Sequence, residues 1–98
     1  MPELTDRTRA VAALRFRALG DETRLRLLYL LNDGERVVGD LMDATGLGQS
    51  LVSHHLRTLR QAGLVSTRRD GRWVFYGIVD PAVASAAQVV SDLITLPT

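Results

Sequence analysis

Residues 38–62, VGDLMDATGLGQSLVSHHLRTLRQA, decide how this chain folds. The spacing of their apolar side chains predicts a short helix from about Val38 to Thr45, with Leu41 and Met42 inward, and a second helix from about Gln49 to Ala62. Between them Gly46-Leu47-Gly48 reads as a tight turn: the glycines permit positive φ, and Leu47 can plug inward. Gly63 stands where a helix ends in a left-handed residue. Two short helices joined by a glycine-containing turn of about three residues form a helix-turn-helix.

The second helix separates into two faces when its residues are spaced about 100° apart. Val52, Leu56 and Leu59 fall together and point to a core, while Ser50, Ser53, His54, Arg57 and Gln61 gather opposite. Two hydroxyls, an imidazole, a guanidinium and an amide can each bond a base edge or a phosphate; Arg grips guanine through O6 and N7, and Gln pairs with adenine. Backbone N–H groups at the helix start, near Gln49 and Ser50, also attract phosphate. A polar stripe alone is usually a solvated face, but this one follows a helix-turn-helix and precedes a basic hairpin. His55 lies beside the core stripe and reads as a packing and hydrogen-bonding residue. It projects about 100° from His54, so the two are poorly placed to chelate one metal.

Past Gly63 the period changes. Residues 64–69 and 72–79 flank Asp70-Gly71, and Trp73-Val74-Phe75-Tyr76 is rich in strand formers. Asp-Gly as the central pair predicts a type I′ hairpin, with Arg69 opposite Arg72 and Arg68 opposite Trp73. Its tip is then basic on both arms. Long guanidinium side chains on a narrow ribbon suit flanking phosphates or a minor groove; an exposed turn carrying solubilising Arg is the plainer alternative.

Three helices complete the expected fold. Thr5 caps one from Asp6 to about Leu19, with Val11, Leu14, Ala18 and Leu19 at helical spacing. Asp21 caps the next, and Leu25, Leu27, Leu28, Leu30 and Leu31 cover most of its circumference, which predicts a buried central helix. Asp80-Pro81 starts the last, from about 81 to 95, with Val83, Ala87, Val90 and Leu93 or Ile94 as an apolar stripe. The expected class is mainly α with a small β-hairpin: a winged helix-turn-helix of about five helices in one domain, residues 1–98.

Composition narrows the function. The chain has 98 residues, 46% of them hydrophobic, enough for one core but only marginal stability alone, a deficit dimerisation can relieve. Net charge is only +1, yet all twelve basic residues are Arg, and Arg57, Arg60, Arg68, Arg69 and Arg72 crowd between 57 and 72 with Asp70 alone against them. That asymmetry is the footprint of a phosphate-contacting face. Absence of Cys excludes disulfides, thiolate metal sites and thiol redox sensing. With neither an eighteen-residue apolar run nor a signal-peptide stretch, a cytoplasmic protein without membrane contact is expected. No clustered His and carboxylates and no phosphate-cradling loop suggest an enzyme.

These residues resemble the ArsR/SmtB group of bacterial repressors over residues 16–80. The runs LGDETRLRLL, QSLVSHHLRTLRQAGLV and GRWVFY carry the likeness together. The resemblance implies a homodimer joined by its first and last helices, through Val11, Leu14, Val83, Ala87, Val90 and Ile94. It implies a sequence-specific transcriptional repressor on an imperfect DNA palindrome, released by an effector. By the same likeness Gln49, Ser50, Ser53, His54 and Arg57 read bases and backbone, with Gln61 on the same face and Arg68, Arg69 and Arg72 of the wing in support. Many members hold metal through two Cys in a segment like ELCVCDL; here it reads ERVVGDL, with Val37 and Gly39 at the ligand positions. Others use Asp and His on the last helix; here Asp80 remains but Ala82 occupies the first His position. No cofactor is expected, and no metal site of either kind. An unidentified small molecule, another metal site or a partner protein stays open as effector. The competing function is a protein-interaction module that keeps the fold and acts through a partner.

Overall fold

The computed structural model describes residues 3–79 and 89–97. In order they form α1 (Asp6–Leu19), α2 (Glu22–Asn32), α3 (Val38–Thr45), α4 (Gln49–Gln61), β1 (Val65–Asp70) and β2 (Trp73–Ile78). Residues 89–94 are helical, and we label them α5. The expected start of that helix at Asp80-Pro81, and Val83 and Ala87 within it, lie outside the described residues.

Helix starts follow local chemistry. The Thr5 hydroxyl accepts the Thr8 N–H at 3.2 Å, and Asp21 accepts the Arg24 N–H at 3.0 Å. Each satisfies a donor that the first turn leaves without a helical partner. The turn between α3 and α4 needs one left-handed residue, Gly46 at φ +74°, whereas Gly48 stays extended at φ −73°. Leu47 packs against the core as expected.

Leu27, Leu28 and Leu31 of α2, Leu41 of α3, Val52, Leu56 and Leu59 of α4, and Leu64 and Val65 beyond it make the centre of that core. The expectation that α2 is buried all round needs correcting. Leu25 and Leu30 are half-buried and Tyr29 is 40% exposed, because neighbours cover one side of the helix only. On the open side Arg26 reaches across to the Ala44 carbonyl at 2.9 Å, tying α2 to the end of α3.

The hairpin differs from expectation in register. The ladder runs from Val65 opposite Ile78 to Asp70 opposite Trp73, so the central turn pair is Gly71-Arg72, not Asp70-Gly71. Gly71 sits at φ +61° and no non-glycine residue has positive φ, which suits glycine at the first central position of a type II′ turn. The two registers differ by two residues along the partner strand and put the same side chains on the same face. Hydrophobic alternation therefore cannot choose between them. A further rung can: Arg36 and Tyr76 exchange both backbone hydrogen bonds, at 3.0 and 2.8 Å. The basic residues thus occupy β1 and the turn, not both arms.

Candidate nucleic-acid interface

Helix α4 is fixed along one side and open on the other. Val52, Leu56 and Leu59 have no solvent exposure. Ser50, His54, Arg57 and Gln61 are exposed and Ser53 is half-buried, as the wheel predicts. Among the described residues none of these five side chains is held by a hydrogen bond or ion pair. Gln49 opens the helix beside them, and Gly48 before it supplies no side-chain cap, so the first-turn N–H groups stay available. Leu51, 45% exposed, adds an apolar contact that the wheel did not single out. Its exposure beside His54 could be recognised only once the core face was known.

The far end of α4 is closed by a Schellman motif. The Gly63 N–H bonds to the Arg60 carbonyl at 3.0 Å and the Leu64 N–H to the Leu59 carbonyl at 3.0 Å. Gly63 supplies the left-handed conformation, φ +76°. The Arg15 Nε of α1 donates to the Ala62 carbonyl at 3.1 Å, anchoring this end of the helix from outside.

His55 is buried, 9% exposed, and packs as its position beside the core stripe implied. Its Nδ1 lies 3.3 Å from the Arg24 Nη1 and 3.8 Å from the Asp21 carboxylate. With the imidazole proton on Nε2, Nδ1 accepts from the guanidinium. Arg24 also donates to the Ala18 carbonyl at 2.6 Å and the Arg17 carbonyl at 3.3 Å. One guanidinium therefore ties the end of α1, the start of α2 and the middle of α4. The Arg24 backbone N–H holds the Asp21 carboxyl below its ordinary range, helped by the Arg24 and His55 charges and opposed by burial. This hub was missed from the sequence, where Arg24 looks like any helical Arg.

The wing places its three arginines differently. Arg68 is held: its Nε donates to Glu35 at 3.0 Å and its guanidinium lies 4.6 Å from the Phe75 ring centre. Arg72, in the turn, lies 5.1 Å from the Trp73 ring centre, and Trp73 is itself 52% exposed. Arg69 is exposed on the opposite face of β1 from Arg68 and pairs across the ladder with Val74.

Among the described residues no three His, Asp or Glu side chains lie close enough to hold a metal ion. No described helix is long and apolar enough to cross a membrane. Of the expected interface residues, Val11, Leu14 and Ile94 are exposed, at 37, 45 and 75%, and Val90 is half-buried. Phe16, 67% exposed, joins them unforeseen.

A helix-turn-helix followed by a two-stranded basic hairpin defines a winged helix-turn-helix protein. The chain belongs to the arsR family of bacterial regulatory proteins, whose profile matches residues 21–67. It is 40% identical over 78 residues to the arsenical resistance operon repressor of Escherichia coli, covering 79% of this chain and 67% of that one. HlyU of Vibrio cholerae superimposes with a TM-score of 0.82 at 35% identity, covering 91% of this chain and 97% of the other. The homodimeric winged helix-turn-helix DNA-binding domain of a possible ArsR-family regulator from Mycobacterium bovis superimposes with a TM-score of 0.79 at 37% identity, covering 94 and 91%.

Proposed function

We propose that this protein is a cytoplasmic homodimeric repressor that reads an imperfect DNA palindrome with α4 and steadies itself on the backbone with the wing. One observation carries the reading. The outer face of α4 presents Ser50, Ser53, His54, Arg57 and Gln61 outward with no side-chain hydrogen bond or ion pair in the described fold. Such groups gain most by bonding something outside the chain, and their chemistry suits base edges and phosphates.

Arg57 reads a base near the middle of α4; Gln49, Ser50 and Ser53 work at its start, with His54 and Gln61 further along. Arg69 and Arg72 contact flanking phosphates. Arg68 supports them indirectly, since its pairing with Glu35 and Phe75 steers the wing. Val11, Leu14, Val90 and Ile94, with Val83 and Ala87, form the copy-to-copy contact of the terminal helices, about 5–19 and 81–95. An effector bound elsewhere in the dimer releases it from its operator.

The test is a gel-shift series on DNA upstream of the protein's own gene, against random DNA, at several salt concentrations. Arg57→Ala is expected to weaken specific binding by about tenfold or more with little change on random DNA. Arg69→Ala with Arg72→Ala should weaken both and flatten the salt slope by about 1 for each phosphate no longer neutralised. Absence of a shift on any DNA would turn the reading toward a partner-protein module.

A further inference from the structure

A recess of about 720 Å³ lies between α1, the start of α2 and α5. Its walls are apolar: Ala12, Phe16, Leu19, Leu25, Val90 and Leu93 supply most of the surface. Such a volume matches ordinary small-molecule sites. Arg15 is the one charged side chain in this lining. A guanidinium beside an otherwise apolar trough selects for a ligand with a long apolar body and one negative end.

The same arginine is tied to α4. Its Nε donates to the carbonyl of Ala62, which closes α4, and Leu64, whose N–H completes the Schellman motif, also lines the recess. An occupant therefore touches the anchor of the DNA-facing helix directly.

We propose that this recess binds an amphipathic carboxylic acid of the medium-chain fatty-acid class, and that its carboxylate draws the Arg15 guanidinium from the Ala62 carbonyl, weakening DNA binding. The alkyl chain lies along the walls of α1 and α5 while the carboxylate meets the Nη groups of Arg15. Release of Ala62 loosens the far end of α4. The regulatory half of this inference rests on the DNA-binding reading above; the site itself does not. A second copy of the chain over the trough would fill it with apolar side chains but bring no anion demanded by Arg15, so the charge favours the acid.

Three ten-carbon probes separate the outcomes by calorimetry on the whole protein: decanoate, 1-decanol and decylammonium, each below its aggregation limit. Decanoate is expected to bind at least tenfold tighter than decanol, with decylammonium weakest. Arg15→Gln should bring decanoate and decanol within about twofold at unchanged thermal stability, and Ala12→Trp, which fills the trough, should abolish binding of both. In gel shifts decanoate should lower DNA affinity about tenfold for the wild type and not for Arg15→Gln. Equal affinity for all three probes, or no binding of decanoate, would overturn the site. So would sedimentation showing that decanoate splits a dimer into monomers, since the trough would then be the interface between copies. Decanoate binding that leaves DNA affinity unchanged would overturn the coupling to α4. A protein that prefers decanoate yet shifts no DNA would uphold the site and sink the DNA-binding reading instead.

Discussion

Gly63→Ala tests how the end of the DNA-facing helix is made. Gly63 holds φ +76° at the close of α4, a conformation that brings the Cβ of an L-residue against its own carbonyl. That strain costs about 1–2 kcal/mol, offset by about 0.4–1 kcal/mol because alanine also restricts the unfolded chain. A built Cβ would also meet the Arg15 Nη2 at 3.3 Å. That atom is the tip of a flexible side chain and can move aside, so the contact adds little to the folding cost. The net loss of about 1 kcal/mol corresponds to a fall in Tm of roughly 4–8 °C for a domain of this size. Thermal unfolding followed by circular dichroism at 222 nm measures it. Gly39→Ala is the matched control: Gly39 lies in α3 without positive φ, and nothing approaches its added Cβ within 4 Å. There the better helix propensity of alanine should leave Tm unchanged or raise it slightly. Two variants with equal Tm values would refute the claim that left-handed backbone, not side-chain crowding or general glycine loss, sets the cost.

Other consequences are equally direct. Asp21→Ala should lower stability by about 1 kcal/mol at pH 7 through loss of the α2 cap. The folded carboxyl is held below its ordinary pKa, so this contribution is present above the unfolded value of about 4 and fades as pH falls through the folded value. The gap between variant and wild type in urea unfolding should therefore narrow between pH 5 and pH 3, and a gap independent of pH would be inconsistent with the ionised cap. Leu56→Ala removes a side chain with no exposure and should cost about 2–5 kcal/mol, whereas Leu51→Ala, on the outer face, should stay within about 0.5 kcal/mol. Comparable urea midpoints for these two would reverse the assignment of faces on α4. A double-mutant cycle on Glu35 and Arg68, both about half-exposed, should give a coupling below about 1 kcal/mol; a value several times larger would show the pair to be a main support of the wing.

Much of the site could be read before any fold was known, because it depends on local chemistry. The 3.6-residue period separates Val52, Leu56 and Leu59 from Ser50, His54, Arg57 and Gln61, whatever the helix packs against. Gly63 announces its left-handed role by having no side chain to strain, and Thr5 and Asp21 cap helices that begin within a few residues of them. The wing was legible as a hairpin but not in its register. Both pairings satisfy the same alternation, and the rung that separates them joins Arg36 to Tyr76, forty residues away in sequence.

Arginine roles show the same division. Twelve identical side chains carry no label for what each will meet. Sequence alone determined that Arg57 faces outward with the polar stripe and that the wing would be basic. Only the tertiary structure sent Arg24 into a hub with His55 and the end of α1, set Arg68 against Glu35, and brought Arg15 to the Ala62 carbonyl beside an apolar recess. A helical face is decided by neighbours three and four residues away. A guanidinium on a long, flexible stem is decided by whichever carbonyl or carboxylate the fold carries within its reach.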